Sequence, residues 1–161
     1  MDERGNNTND DVIIAVPDTG AARTAEQLAR IGVLVGGQRT ELFVRRGDGM
    51  ELRLAWSAPG HESATDPWTD PIPFSWFPWS LGNIRPANHV FVRNAAALPL
   101  QPTGDSLVRD LGMGSCLHLP LHEGIEAIGA VCVYWVDERD DWPDEQAGRL
   151  AELGRTALEL A

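Results

Sequence analysis

One segment near the C-terminus constrains the fold more than any other: two strand-like runs separated by a tight turn. The first run, 115–121, has leucine at every second position, and the second, 125–136, is almost entirely apolar. Between them, His122, Glu123 and Gly124 supply the residues of a tight turn. A nearly continuous apolar run is typical of a strand that is covered on both faces. The pattern therefore predicts a β-hairpin at the centre of a sheet.

The rest of the chain carries weaker signals in a clear order. Apolar spacing and capping residues mark each expected helix, and alternation between turn residues marks each expected strand. The alternation of the first two strands predicts an antiparallel hairpin with one solvent-facing side. In chain order we expect a helix at 21–35, strands at 40–46 and 50–56, a loop at 57–73, a short helix beginning near 78, a strand at 89–93, a helix at about 103–111, the central hairpin, and a helix at 144–161.

These elements predict one domain of the α+β class, with a central antiparallel sheet of about five to six strands and helices on both faces. Residues 1–11 are almost all polar, and a short apolar run ending at Pro17 follows them. We therefore expect a flexible segment at 1–17 and a domain at 18–161. The start of the chain lacks the basic and apolar regions of a secretion signal, and no stretch is apolar for long enough to span a membrane. A cytoplasmic location is expected.

The charge balance excludes some classes of partner. The chain has 24 acidic and 13 basic residues, a net charge of -11, and every basic residue is arginine. Nucleic acids and anionic membranes are bound through basic surfaces, so we expect neither as a direct partner. The absence of lysine is explained by a genome rich in G and C without any functional cause.

Several motifs resemble those of one known family. The run SCLHLPL at 115–121, the turn residue Gly124 and the run IGAV at 128–131 are similar to the C-terminal half of a GAF domain. Leu98-Pro99 before a capped helix, and the segment 139–142 before the final helix, fit the same pattern. The resemblance is strongest over 74–161, weaker but in order over 24–56, and does not include residues 1–16.

The resemblance implies a sheet of the GAF/PAS type with a ligand-sized pocket on one face and the terminal helices on the other. It implies a bacterial signalling module, such as those in two-component systems, that senses a small molecule or forms a homodimer through its terminal helices. Such a module controls an output domain or a partner and is not an enzyme. The apolar stripes of the helices at 21–35 and 144–161 have a second explanation, since they would also form by covering the sheet alone.

Five residues are candidates for contact with a ligand. The aromatic cluster Trp76, Phe77 and Trp79 would suit the floor of an apolar site, although core packing or a lid explains it as well. Cys116 and His118 alternate with leucines, so they share the opposite sheet face, which would be the pocket face. The two cysteines of the chain, Cys116 and Cys132, lie in apolar runs, and we expect both to be buried free thiols.

Specific cofactors and activities find less support, and the sequence identifies no cofactor. Bilin attachment uses a cysteine followed by histidine or tyrosine on a helix, whereas Cys116 precedes Leu117 in a strand. Neither a heme motif nor a zinc-binding cysteine pair is present, and the lack of lysine leaves the cyclic-nucleotide motif incomplete. Two alternatives to a sensor stay open: a small redox enzyme similar to the GAF-type reductase of free methionine sulfoxide, with Cys116 or Cys132 reactive, and a ligand-free dimerisation domain.

Overall fold

A computed structural model describes residues 19–62, 71–73, 89–97 and 112–161. Helix α1 spans Gly20–Val35 and helix α2 spans Ala147–Leu160. The strands are β1 (Arg39–Arg46), β2 (Gly49–Ser57), β3 (Ile72–Pro73), β4 (Val90–Val92), β5 (Ser115–Glu123) and β6 (Glu126–Trp135). Short 3-10 helices lie at Ala95–Ala97 and Asp144–Gln146.

All six strands form one antiparallel sheet in the order β3-β2-β1-β6-β5-β4. Strands β5 and β6 pair along their whole length as the predicted central hairpin, and Gly124 adopts a positive φ of 61° in its turn. Strand β6 has β1 on one side and β5 on the other, so its backbone hydrogen bonds are used on both edges. Residues 129–135 of β6 are buried on both faces of the sheet, which explains why its sequence is apolar at nearly every residue. The expected α+β class and strand number are confirmed.

The sheet has two buried faces of different composition. The first face packs against both α-helices through a large apolar core. Its buried members include Leu28, Ile31, Leu42, Trp135 and Leu150. The second face is smaller and more polar, and its buried cluster comprises Phe43, Met50, Ile72, Ala95, Cys116, Ala130, Cys132 and Tyr134.

Helix α1 forms where capping and spacing predict it, whereas α2 begins at Ala147, three residues after its expected start and directly after the 3-10 helix Asp144–Gln146. The Thr19 hydroxyl accepts a hydrogen bond from the Ala22 N–H at 3.3 Å and caps the start of α1. Helix α1 ends at Gly36, whose φ of 69° lies in the left-handed region that glycine tolerates. The two helices lie side by side and run antiparallel. The contact between Thr24, near the start of α1, and Ala157, near the end of α2, shows this arrangement. Their apolar stripes are buried within this one chain.

Two expectations are wrong. The first hairpin does not face solvent along the first part of β1, since residues 39–43 are buried on both faces, including the charged residues Arg39 and Glu41, whereas the rest of the hairpin keeps half-buried and exposed residues. Alternation alone cannot distinguish a solvent-facing row from a buried polar row. The loop expected at 57–73 also contains strand β3, which is too short to show any periodicity; Ile72 in β3 pairs with Met50 at the edge of the sheet. The elements expected near 78 and at 103–111, together with residues 1–17, lie outside the described residues.

Candidate functional site

The polar residues of the second face come together through strand register. In one row across the sheet, Glu41 of β1 is opposite Cys132 of β6, which is opposite His118 of β5. Arg39, Tyr134 and Cys116 occupy the same strands in the next row on the same face. Side chains on one face of neighbouring strands lie about 5 Å apart, so these six residues form one group. We call them the second-face cluster.

An ion pair anchors one side of the cluster. The Arg39 side chain, 5% exposed, donates from Nε to Glu41 Oε1 at 2.6 Å, and the Glu41 side chain is fully buried. The Tyr134 hydroxyl donates to the other carboxylate oxygen, Glu41 Oε2, at 2.8 Å. Both oxygens of Glu41 therefore accept charge-assisted hydrogen bonds, which are stronger than bonds between neutral groups. The charges of arginine and glutamate cancel within the cluster.

The other side of the cluster is ionisable but uncharged at neutral pH. His118 is 2% exposed, and its burial lowers its pKa from 6.5 to about 4, which leaves a neutral imidazole. Its ring contacts the Tyr134 ring edge to face at a centroid distance of 6.3 Å. Burial is also the main cause that raises the pKa of Tyr134, and the negative charge of Glu41 adds to it. Tyr134 therefore keeps its proton as the donor to Glu41.

The two cysteines are part of the same cluster. Cys116 and Cys132 are buried and are not joined by a disulfide. Burial, then the negative charge of Glu41, raises the pKa of the Cys132 thiol well above its usual range. A thiol in this state is a poor nucleophile, because the thiolate is the reactive form. The expectation of buried thiols in apolar strands is confirmed.

Among the sequence candidates, Cys116 and His118 lie on one face, as their alternation with leucines predicts. Trp76, Phe77 and Trp79 lie outside the described residues. Sequence reasoning missed Arg39, Glu41 and Tyr134 as site residues. The signal in the sequence is the pair of opposite charges at Arg39 and Glu41, two residues apart. Alternation by itself predicts that such charged side chains face solvent.

A separate concavity lies on the other side of the sheet. A cavity of about 190 Å³ is lined by Ala21, Thr24, Arg53, Leu54 and Ala161, between the start of α1, the end of α2 and β2. The residues of the second-face cluster are not among those that line it. In the described parts of the chain, no group of three or more His, Cys, Asp or Glu side chains is arranged to hold a metal ion.

The architecture has known counterparts. This chain has a GAF-type fold. The elements that define it are helix α1, the antiparallel sheet with its central β5–β6 hairpin, and the closing helix α2. No family model and no curated protein matches the sequence. The similarity is therefore one of structure, and it establishes the fold.

The structural neighbours include GAF domains and a domain of a sensor histidine kinase. The blue-light-absorbing form of the PixJ GAF domain from Thermosynechococcus elongatus aligns with a TM-score of 0.66 at 15% identity, covering 88% of this chain and 84% of that chain. The GAF domain/HD domain protein from Geobacter sulfurreducens aligns with a TM-score of 0.65 at 14% identity, covering 88% and 91%. A domain of a protein described as a two-component sensor histidine kinase from Sinorhizobium meliloti 1021 gives 0.56 at 16%, covering 81% and 82%. None of the described helices is long and apolar enough to cross a membrane.

Proposed function

We propose that this chain is a sensory domain of signal transduction that binds a small molecule at the second face of its sheet and controls an output domain or a partner. The observation that carries the proposal is the second-face cluster, which places an ion pair, a neutral histidine and a tyrosine hydroxyl among apolar side chains. Binding sites are mostly apolar with a few convergent polar groups. Perturbed titratable groups concentrate at functional sites.

The fold supports the same conclusion. The neighbours with this architecture are named as a light-absorbing GAF domain, a sensor histidine kinase domain and a GAF/HD protein. We extend the proposal to the aromatic candidates Trp76, Phe77 and Trp79 as further ligand contacts. We also propose a cytoplasmic location and a domain spanning 18–161 that follows a flexible segment.

Mass spectrometry of the purified protein under native conditions tests the ligand proposal. We expect a retained small molecule whose mass disappears when the protein is denatured. The variant His118→Leu should lose it, whereas His61→Gln, which alters an exposed histidine remote in sequence from the cluster, should keep it. If no mass is retained and a thermal-shift screen finds no stabilising compound, the proposal fails and a ligand-free dimerisation domain is favoured.

We further propose a homodimer through the outer faces of the terminal helices. The inner stripes already cover the sheet, so this contact would use small side chains such as Ala22, Ala25 and Ala29, which follow one another at helical spacing on α1 and are exposed or half-buried. Sedimentation equilibrium measures the mass in solution. The variant Ala22→Glu should dissociate the dimer, and Ile125→Glu, at the tip of the β5–β6 hairpin, should not. A wild-type monomer would contradict the proposal.

The redox alternative requires a reactive cysteine, and the buried thiols with a raised Cys132 pKa oppose it. Labelling of the native protein with a thiol reagent discriminates between the two functions. We expect neither Cys116 nor Cys132 to react before the protein unfolds. Rapid labelling of either thiol in the folded protein would favour the enzyme.

A further inference from the structure

The end of the molecule where α1 stops carries exposed apolar side chains. The described part of the chain has four exposed large hydrophobic residues, and three of them, Val33, Leu34 and Val136, belong to this end. Gln38 joins their segments: its side-chain amide donates to Gly36 O at 3.1 Å and its Oε1 accepts from the Val136 N–H at 2.9 Å. The three apolar side chains therefore flank a single hydrogen-bonded junction.

The same end of the molecule concentrates negative charge. Residues 137–145 contain six exposed carboxylates, at Asp137, Glu138, Asp140, Asp141, Asp144 and Glu145. Thr24 of α1 contacts Ala157 of α2, and the two helices are antiparallel. Val35 follows Thr24 by as many residues as Gln146 precedes Ala157, so Val35 and Gln146 lie at the same height along the helix pair. The acidic segment that precedes α2 thus lies beside the end of α1. We call this region, with Val33, Leu34 and Val136, the acidic end.

The six carboxylates of the acidic end form no ion pair with another described residue. The one arginine of the segment, Arg139, stacks its guanidinium 5.2 Å over the Trp135 ring and donates from Nε to the Asp141 backbone oxygen at 3.2 Å. The carbonyl end of α1 and the amino end of α2 both lie in this region and carry partial charges of opposite sign, so the carboxylates determine the charge of the surface.

We propose that the acidic end is a docking surface for a basic amphipathic segment of another protein, with apolar side chains against Val33, Leu34 and Val136 and arginine or lysine side chains against the surrounding carboxylates. Charge complementarity selects this occupant. A second copy of this chain would bring the same negative charge, and nucleic acids and anionic membranes would be repelled as well. The surface is distinct from the second-face cluster, so this proposal does not depend on ligand binding there.

A defined probe tests the surface. The probe is a synthetic amphipathic helical peptide with leucines on one face and arginines on the other, and its twin has glutamate in place of every arginine. Fluorescence anisotropy gives the dissociation constant of each peptide for the full chain. We expect the arginine peptide to bind, its affinity to fall as salt is raised, and the glutamate twin not to bind.

Matched variants separate docking from general attraction to an acidic protein. The double variant Asp137→Asn/Glu138→Gln and the double variant Val33→Ser/Leu34→Ser should each weaken binding about tenfold. The control Glu123→Gln/Glu126→Gln removes the same charge from the exposed β5–β6 turn, and Ile125→Ser removes an exposed apolar side chain there.

We expect both controls to bind the arginine peptide as the wild type does, and circular dichroism should show all variants folded, since every substituted side chain is exposed. Equal weakening by the turn variants and the acidic-end variants would overturn the proposal in favour of non-specific attraction. Unchanged binding in the acidic-end variants, or no binding of the arginine peptide to the wild type, would also overturn it.

Discussion

The buried ion pair gives the sharpest test of the second-face cluster. Substituting Glu41→Gln keeps the shape of the side chain and an oxygen that can accept from the Tyr134 hydroxyl, but removes the negative charge beside Arg39. Arg39 is 5% exposed, so water cannot replace the lost partner. The variant therefore removes from a buried guanidinium the charged partner that it contacts at 2.6 Å, which is the costly way to break a buried pair.

The expected magnitude follows from the geometry. Two unit charges about 4 Å apart attract by about 4 kcal/mol in an effective dielectric of about 20. Breaking a buried pair by removing one partner costs about 3–5 kcal/mol in general. We therefore expect Glu41→Gln to lower the free energy of unfolding by about 3–5 kcal/mol. Tyr134→Phe removes one hydrogen bond to a charged group and should cost about 1.5–3 kcal/mol.

Urea unfolding followed by tryptophan fluorescence and circular dichroism measures these changes. The same hairpin offers a matched control, because Arg46 of β1 and Glu51 of β2 form an exposed pair at 3.3 Å with side chains 51% and 37% exposed. Glu51→Gln should therefore cost less than about 1 kcal/mol. In a double-mutant cycle, Arg39→Met combined with Glu41→Gln should cost less than the sum of the single changes, by about 2 kcal/mol or more.

The reasoning is refuted if Glu41→Gln costs no more than Glu51→Gln, or if the changes at Arg39 and Glu41 simply add. Either result would mean that water reaches the pair or that the charges do not interact in the folded protein.

Two further predictions concern pH and backbone packing. Burial lowers the pKa of His118 from 6.5 to about 4, so as the pH falls the unfolded chain binds a proton at this histidine before the folded protein does. Between pH 7 and pH 4, the free energy of unfolding of the wild type should therefore fall by about 3 kcal/mol more than that of His118→Leu. Equal pH dependence in urea unfolding would contradict this. A Cβ at Gly129 would lie 2.6 Å from Phe43 O in the paired strand, whereas one at Gly148 would meet nothing within 4 Å. In thermal melts Gly129→Ala should destabilise and Gly148→Ala should stabilise by about 0.5–1 kcal/mol, and the reverse order would be inconsistent with the strand packing.

The sequence predicts the backbone of this fold well because each main element has a local cause. The capping residue Thr19, the left-handed Gly36 and the apolar run of β6 are local signals. The observed helices and strands begin and end within three residues of the expected positions, and the largest difference is the start of α2 at Ala147 instead of 144. Strand β3 was missed because two residues, Ile72 and Pro73, have no period to detect and are recruited by pairing with β2.

The site is harder to predict, because it depends on long-range register. Cys116 and His118 were found from alternation within one strand, which is a local property. Their meeting with Glu41 requires that β1 lie beside β6, a pairing of residues far apart in the chain. The sequence of 39–46 does not indicate which strand pairs with β1. The alternation of this strand therefore predicts that its charged side chains face solvent.

The composition of the second face bears on why the cluster exists. On the first face, an almost wholly apolar core packs the helices against the sheet. A stable sheet of this fold therefore does not require the polar residues Arg39 and Glu41 on its second face. Replacing a whole buried ion pair by apolar residues of similar size is often neutral or stabilising. The variant Arg39→Met/Glu41→Leu/Tyr134→Phe, which also removes the hydroxyl that donates to Glu41, should then be close to the wild type in stability. If that variant also loses the small molecule retained by the wild type, binding rather than folding accounts for the polar residues of the cluster.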